Sequence, residues 1–332
     1  MAGTPTIGDV ADRLMLLDSA SLYFRAFFGV PDTMVSPRGE PVNALRGFLD
    51  MIARLLDEYE PTHLVACWDD DWRPAWRVEL IPSYKTHRVL GGDPGPGAGG
   101  ANPLDVVVAE ESPDALTPQV PVIAEALAAF GIARVGAPRC EADDVIGTLA
   151  TRAPEGREVD VVTGDRDLFQ LVDDERKVRV LYTAKGLRNM QLIDQADLQE
   201  RYGVATGAQY ADLATMRGDT SDGIPGVPGI GEKGAATLLA RFGSLQGIRD
   251  AVSDPKSDLT KAQRAKIEAA SDYLDVAPTV VKVLRDADLP DHDDTLPAVP
   301  VDPDALAALG ERWGAESSIE RLTEALAKRA GG

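Results

Sequence analysis

The sequence is poor in the residues that typify secreted, zinc-binding and membrane proteins. Its 332 residues include two cysteines and three histidines. Two cysteines do not build a disulfide framework and are typical of a reducing compartment, and the scattered histidines lack the spacing of zinc ligands. No apolar run approaches the ~18 residues of a membrane span, and residues 1–13 lack a signal-peptide pattern. We therefore expect a cytoplasmic protein that does not contact a membrane.

Basic residues are also scarce relative to acidic ones. The chain has 34 Lys and Arg against 54 Asp and Glu, which gives a formal net charge of −20. This balance argues against a protein that coats nucleic acid electrostatically, although it leaves room for local phosphate binding. The length exceeds the roughly 250–300 residues at which a single core stops growing. We therefore expect one large domain with an appendage, or two domains.

The acidic residues are concentrated where predicted strands end. Three apolar, β-prone segments, residues 14–18, 64–69 and 159–165, each stop on an aspartate. In an open parallel sheet the carboxyl ends of the strands meet at one crevice, so these carboxylates should meet there. Carboxylates at short range repel each other and tend to hold protons unless cations lie between them. The arrangement therefore predicts bound metal.

Two further acidic clusters extend this prediction. Glu141 and Asp144 are three residues apart at the start of a predicted helix, and Asp219 and Asp222 have the same spacing. Complementing a helix dipole explains any single cluster about equally well, but it does not explain three strands that end on Asp. Oxygen ligands without His or Cys select Mg²⁺ or Mn²⁺ over zinc. The nine candidate ligands are Asp18, Asp69, Glu141, Asp143, Asp144, Asp165, Asp167, Asp219 and Asp222.

The order of predicted elements is that of an α/β protein. Residues 14–70 are predicted as strand, helix, strand, with Ser19 as a helix cap and a helix over 44–59. A helix from residue 116 leads to a short strand over 132–135, and strand and helix alternate again to about residue 192. Residues 91–103 are rich in Gly, Pro and Ala and predict a flexible loop. Helices near 304–313 and 319–328 are expected to contribute to packing and not to the chemistry.

A glycine-rich turn follows the second acidic pair. Residues 223–233 contain four glycines and two prolines and precede a predicted helix over 235–242. Glycine lets backbone N–H groups approach a ligand, and a helix N-terminus adds positive potential, so the turn is a candidate phosphate site. We expect Gly229 and Gly231 to need either a positive φ or close backbone approach. Such a turn alone is a weak indicator, and its position four residues beyond an acidic pair strengthens it.

Together these motifs resemble the 5′-nuclease superfamily of flap endonucleases and 5′-3′ exonucleases. The closest resemblance is to the bacterial type that also forms the N-terminal part of DNA polymerase I. The matching stretches are residues 17–19, 84–88, 141–150, 163–167 and 218–233, within about residues 14–285. No polymerase signature follows residue 304, so the chain is similar to the stand-alone form.

The resemblance implies a mostly parallel central sheet flanked by helices, with a helical arch and a C-terminal helix-hairpin-helix DNA-binding region. The corresponding domains would be a nuclease core over 14–200 with its arch region over 72–130, a DNA-binding region over 201–285, and a helical tail over 286–332 that packs on the core. Residues 89–113 look like an insertion in the arch, and we predict that residues 91–112 form a mobile lid.

Residue roles also follow from the resemblance. Asp18, Asp69, Glu141, Asp143, Asp144 and Asp165 would be first-metal and bridging ligands, and Asp167, Asp219 and Asp222 second-site ligands. Lys85 and Arg88 would lie at the base of the arch over the active site, Tyr84 would stack on a nucleobase, and Arg25 would contact a phosphate. Gly226, Gly229, Gly231 and Lys233 would grip duplex DNA, with a potassium ion at the hairpin.

The expected function is a monomeric nuclease with two or three Mg²⁺ or Mn²⁺ ions. It would cut DNA at 5′ ends and 5′ flaps in replication and repair, with RNA–DNA primers among its substrates. Two alternatives stay open at this point. One is a non-cleaving clamp that binds DNA junctions, and the other is an α/β phosphatase for a small metabolite, which would leave the glycine turn without a purpose.

Overall fold

The structure is a computed structural model that describes residues 12–89 and 113–331. The predicted flexible loop over 91–103 and the predicted lid over 91–112 lie outside these ranges. Residues 72–89 begin the predicted arch region, and they contain one short helix and one 3₁₀ turn, Thr86–Arg88. None of the helices in the described ranges is both long and apolar enough to span a bilayer.

A six-stranded sheet forms the centre of the molecule. Its strands are β1 (Arg13–Asp18), β2 (His63–Cys67), β3 (Ala133–Val135), β4 (Glu158–Thr163), β5 (Val178–Tyr182) and β6 (Gln191–Ile193). The order across the sheet is β3-β2-β1-β4-β5-β6, and every neighbouring pair is parallel except β5 and β6. This confirms the predicted α/β fold with a mostly parallel sheet.

The register brings the acidic strand ends to one edge. Asp18 pairs with Cys67 across β1 and β2, and Leu17 pairs with Val162 across β1 and β4. Asp69 lies two residues beyond β2, and Asp165 lies two residues beyond β4. All three carboxylates therefore leave the sheet at the same end, as parallel strands require.

Helices cover both faces of the sheet and continue beyond it. They are α1 (Ser19–Gly29), α2 (Asn43–Tyr59), α3 (Ala75–Leu80), α4 (Gln119–Phe130), α5 (Ala142–Arg152), α6 (Gln195–Tyr202), α7 (Gly207–Arg217), α8 (Glu232–Phe242), α9 (Leu245–Ser253), α10 (Lys261–Ala269), α11 (Ser271–Val281), α12 (Pro303–Trp313) and α13 (Glu316–Gly331).

Alternate residues of β1 supply two separate cores, since successive side chains of a strand point to opposite faces. Leu14 and Leu16 belong to the core that α5 and α7–α10 cover. Met15 and Leu17 belong to the core that α2, α4, α12 and α13 cover. The last helix packs directly on α2, so the C-terminal helices complete one face of the sheet.

The cap of α1 differs from the prediction. Ser19 was expected to cap this helix, but Asp18 does so, with its carboxylate accepting a hydrogen bond from the Ser21 N–H at 3.2 Å. Ser19 is instead the first residue of the helix and is fully buried. The last residue of β1 therefore also fixes where α1 begins.

Candidate active site

The carboxyl ends of β1, β2 and β4 open into a cavity of about 540 Å³. Eight of the nine predicted ligands line it, drawn from five segments of the chain. They are Asp18, Asp69, Glu141, Asp143, Asp165, Asp167, Asp219 and Asp222. The chain brings them together through the strand ends, the start of α5 and the turn after α7. This acidic cavity is the principal candidate site.

The ninth predicted ligand, Asp144, lies outside the cavity. Its carboxylate accepts hydrogen bonds from Arg77 Nη1 and Nη2 at 2.8 and 2.7 Å, and from the N–H groups of Glu141 and Leu284 at 3.1 and 2.9 Å. It is fully buried. The assignment of Asp144 as a metal ligand is therefore corrected to a structural one, because Asp143 and Asp144 leave the start of α5 in different directions.

For three of the cavity carboxylates, burial and neighbouring acids outweigh the nearby cations and hydrogen-bond donors, so that each favours holding a proton in the absence of a bound cation. Burial, together with repulsion from neighbouring carboxylates, raises the pKa of Asp18 to about 7, although a hydrogen bond from Thr163 at 2.6 Å opposes the change. Burial and the charges of nearby acids likewise raise the pKa of Asp143 and of Asp167. These three groups favour a bound cation.

Other cavity carboxylates already have cationic partners. Lys85 Nζ contacts Glu141 Oε2, and Arg88 Nη2 lies 2.7 Å from Asp222 Oδ1. Burial alone would raise the pKa of Glu141, but the charges of Lys85 and Arg77 outweigh it and lower that pKa. Lys85 and Arg88 thus lie on the cavity wall, as the resemblance implied, and in this structure they neutralise two of the predicted ligands.

The cavity fits a hard divalent cation in its donor chemistry. All eight side chains offer oxygen, which suits Mg²⁺ or Mn²⁺. Asp167 Oδ1 is buried without a hydrogen-bond partner in the described structure. Within residues 12–89 and 113–331, however, no group of three or more His, Cys, Asp or Glu is arranged to hold an ion. Binding would therefore require some of these eight side chains to turn.

Tyr84 does not have the predicted role. Its side chain is 5 % exposed and packs in a small core with Ile81 and Ile224. The hydroxyl donates a hydrogen bond to Glu141 Oε1 at 2.7 Å. A buried ring cannot stack on a nucleobase, so Tyr84 instead holds a cavity carboxylate. The aromatic side chains that line the cavity are Phe24, Trp72 and Tyr182, which sequence reasoning missed.

Arg77 is a second residue that sequence reasoning missed. It is 2 % exposed, its Nη1 lies 3.0 Å from Glu141 Oε1, and its Nε donates to the Val280 carbonyl at 3.1 Å. It therefore connects α3 both to the cavity carboxylates and to the end of α11. A lone arginine within a short amphipathic segment gives no sequence signal for this role.

Arg25, the predicted phosphate contact, lies beside the cavity rather than in it. It lines a neighbouring groove between α1 and α2, and its Nη1 donates a long hydrogen bond of 3.4 Å to the Ala184 carbonyl. Phe24 and Ser21 line both the cavity and this groove. The two depressions are therefore continuous.

The glycine-rich turn joins the acidic cavity to α8. Gly226 and Gly229 have φ of 70° and 76°, and a Cβ on Gly226 would lie 2.4 Å from the Arg217 carbonyl oxygen. Gly231 caps α8 with φ of −91°, so it does not need a positive φ, and it faces open space. Lys233 is exposed in the first turn of α8. Arg217 links the two regions, with contacts to Glu232 and Asp219 at 3.2 and 3.8 Å.

Two family models together span most of the chain. The model described as 5′-3′ exonuclease, N-terminal resolvase-like domain matches residues 13–203, and the model described as 5′-3′ exonuclease, C-terminal SAM fold matches residues 205–304. The chain belongs to the 5′-3′ exonuclease family. In this exonuclease-family chain the N-terminal match contains the whole sheet, and the C-terminal match contributes Asp219 and Asp222 to the cavity.

Full-length relatives agree with this assignment. The chain is 59 % identical over 313 residues to a 5′-3′ exonuclease of Streptomyces coelicolor, with coverage of 94 % of this chain and 99 % of that protein. It is 36 % identical to DNA polymerase I of Mycobacterium tuberculosis over 99 % of this chain, and it spans 34 % of that polymerase. The predicted likeness to stand-alone exonucleases and to the polymerase N-terminal region is confirmed.

A solved structure supports the fold. The flap endonuclease of bacteriophage T5, in a pseudo-enzyme–product complex with DNA and metal ions, superposes with a TM-score of 0.59 and 19 % identity. The match covers 96 % of this chain and 100 % of the phage protein. At this identity the similarity is one of fold.

Proposed function

We propose that the chain is a divalent-metal-dependent nuclease that hydrolyses DNA phosphodiesters at 5′ ends and 5′ flaps, and that it removes flaps and primers in replication and repair. The single observation that carries this proposal is the meeting of eight carboxylates in one cavity with Lys85 and Arg88 on its wall. The membership of the exonuclease family supports the 5′ polarity. Action as a monomer and on RNA–DNA primers belongs to the same proposal.

In this proposal the cavity holds two or three Mg²⁺ or Mn²⁺ ions. Asp18, Asp69, Glu141, Asp143 and Asp165 would hold the first site, and Asp167, Asp219 and Asp222 a second. Bound there, the ions would supply a water nucleophile at neutral pH and stabilise charge on the leaving 3′-oxygen. The raised pKa values of Asp18, Asp143 and Asp167 support this assignment. A nearby metal ion would stabilise the charged form of each carboxylate, which burial and repulsion otherwise disfavour.

Lys85 and Arg88 are proposed to pair with the scissile phosphate. Each lies on the cavity wall beside a carboxylate, Glu141 or Asp222. A carboxylate that turns away leaves its cationic partner available, and a cation fixed next to the reacting phosphate stabilises the charge that develops there. Lys85 is held in place by its own backbone, because its N–H donates to the Asp222 carbonyl at 2.9 Å.

The region over residues 201–285 is proposed to grip the duplex. Gly231 offers an open N-terminus of α8, and Lys233 adds an exposed cation within the next two residues. Backbone N–H groups at a helix N-terminus suit phosphate oxygens. Gly226 and Gly229 shape the turn through their positive φ values, and a potassium ion at the hairpin is part of the proposal.

The test is cleavage of 5′-labelled flapped, nicked and blunt duplexes with Mg²⁺ or Mn²⁺, with and without chelator. Wild-type protein should cut only with metal and from the 5′ side. Asp165→Asn should lose nearly all cleavage, whereas the matched variant Asp286→Asn, at an exposed aspartate outside the cavity, should cut normally. Tight binding of flapped DNA without cleavage in either metal would refute the nuclease and favour the junction clamp.

A further inference from the structure

A groove of about 1050 Å³ lies beside the acidic cavity, between α1, α2 and the loop over residues 184–189. It is larger than the cavity and continuous with it, because Ser21 and Phe24 line both. A chain that leaves the cavity on this side would enter the groove directly. Its position therefore makes it a candidate for binding substrate next to the reacting bond.

The groove is locally basic on a strongly acidic protein. Arg25, Lys185 and Arg188 line it. Lys185 and Arg188 are exposed, and neither makes an ion pair with a described residue. The Nε of Arg25 is buried without a hydrogen-bond partner among the described residues, and its contact with the Ala184 carbonyl is long at 3.4 Å. These three cations can therefore accept an anionic ligand.

The acidic side chain in the groove does not cancel this charge. Asp50 is bound by Arg321, with contacts of 2.7 and 2.8 Å to its two oxygens. Arg54, the remaining cation of the lining, pairs with Glu58 at 3.2 Å. The unpaired charge of the groove is therefore positive, in a chain whose formal net charge is −20.

Aromatic side chains complete the groove. Phe28 is 73 % exposed, and its ring is perpendicular to that of Phe27 at 5.1 Å between centroids. Phe24 lies at the junction of groove and cavity. An exposed aromatic side chain among cations is the combination that binds single-stranded nucleic acid, since every base has a face that can stack. If duplex DNA lay in the groove, its phosphates would contact the cations. The bases of a duplex are already stacked on one another, however, so Phe28 would have no base to stack on.

We propose that this groove, lined by Phe24, Arg25, Phe28, Lys185 and Arg188, binds the unpaired strand of the substrate next to the cavity. The inference rests on the proposed nuclease function and adds where the single strand lies. Recognition through stacking and backbone charge tolerates any base sequence. The groove would therefore favour substrates with unpaired nucleotides over blunt duplexes.

The test compares binding of fluorescent oligothymidylate, a 5′-flapped duplex and a blunt duplex, measured by anisotropy in Ca²⁺ in place of the catalytic metal. The variants are Phe28→Ala and the double variant Lys185→Gln/Arg188→Gln. The matched control is Arg312→Gln/Lys328→Gln, which removes two exposed cations from α12 and α13. All altered side chains are exposed or nearly half exposed, so the variants should fold.

Phe28→Ala should weaken oligothymidylate binding roughly fivefold or more. The Lys185/Arg188 double variant should weaken binding of oligothymidylate and of the flapped duplex. It should also reduce the steepness with which the logarithm of the association constant falls with the logarithm of salt concentration, by about 0.7 for each lost single-strand phosphate contact. Blunt-duplex binding and the control variant should match wild type.

Two results would overturn the groove assignment. Equal weakening on all three ligands would show that the groove holds duplex, and unchanged affinities throughout would show that it holds neither. Binding is measured without cleavage, so the proposed function is judged separately. A wild-type protein that cuts no substrate in Mg²⁺ or Mn²⁺ would refute that function, and the anisotropy values would still decide the groove.

Discussion

At the residue scale, the buried ion pair between Arg77 and Asp144 predicts that mutating Asp144 lowers stability, whereas mutating a carboxylate of the cavity does not. Asp144→Ala removes two of the three carboxylate contacts of a buried guanidinium. Leaving such a charge poorly compensated costs about 3–5 kcal/mol. We expect urea denaturation to show that loss for Asp144→Ala and almost none for Asp165→Asn. Wild-type stability with abolished Mn²⁺ binding in Asp144→Ala would return Asp144 to the metal ligands.

The raised pKa of Asp18 predicts a pH effect on the stability of the metal-free protein. The folded-state pKa of about 7 lies above the ordinary aspartate pKa of 3.8, so between these two pH values the native state binds more protons than the unfolded state. Stability from this group is therefore lost as pH rises through that window. Relative to wild type, Asp18→Asn should gain up to about 4 kcal/mol between pH 4 and pH 7.

The measurement for Asp18 is urea denaturation in chelator across that pH range. Asn retains a capping side chain for α1, so the comparison isolates the charge. Asp286→Asn, at an exposed position, is the control and should track wild type at every pH. A constant difference between Asp18→Asn and wild type would contradict the raised pKa.

Neighbouring acids show what residue patterns can and cannot predict. The sequence predicts that Asp18, Asp69 and Asp165 converge because strand ends in a parallel sheet must do so. It does not distinguish Asp143 from Asp144, since both lie in the first turn of one helix and only the position of Arg77 decides which faces the core. Tyr84 was misassigned for a similar reason. Its burial depends on contacts with Ile224 and Glu141, far away in the chain.

At the scale of elements, the glycine turn should separate stability from binding. Gly231 has an ordinary φ and faces open space, so Gly231→Val should still fold, with a loss of about 1 kcal/mol because valine is a poorer N-cap residue than glycine. The added side chain would hinder a duplex backbone approaching α8, and we expect the dissociation constant for a blunt duplex to rise about tenfold or more, while that for oligothymidylate changes little. The measurement is anisotropy in Ca²⁺.

Gly226→Ala is the contrasting variant. Its Cβ would lie 2.4 Å from the Arg217 carbonyl oxygen at a positive φ, so it should lower stability as well as binding. An unchanged duplex affinity in Gly231→Val would count against the phosphate-gripping turn.

Regular elements were predicted well, and irregular ones were not. The helix expected over 44–59 appears as α2 because its apolar residues recur at helical spacing. The segment containing Lys85 has no such periodicity. Lys85 has a left-handed φ of 48°, and its N–H bonds to the Asp222 carbonyl. A conformation fixed by so distant a partner cannot be read from local sequence.

At the scale of the whole molecule, the C-terminal helices should contribute strongly to stability without entering the site. Leu322 in α13 is fully buried in the core that also contains α2. Leu322→Ala should lower the free energy of unfolding by about 2–5 kcal/mol, while native protein still cuts flapped DNA at the wild-type rate. Leu192→Ala, at an exposed leucine, is the control. Lost cleavage in a folded Leu322→Ala protein would contradict a purely structural role for α13.

The cavity is shared between the two regions that the family models match separately. Six of its carboxylates precede residue 203, and Asp219 and Asp222 follow it. The charge pairs Arg88–Asp222 and Arg166–Asp219 cross the same boundary. Recombination that exchanged the C-terminal region for that of a distant relative would replace two cavity carboxylates and one partner of each charge pair at once. We therefore expect lineages to inherit the two regions as one unit.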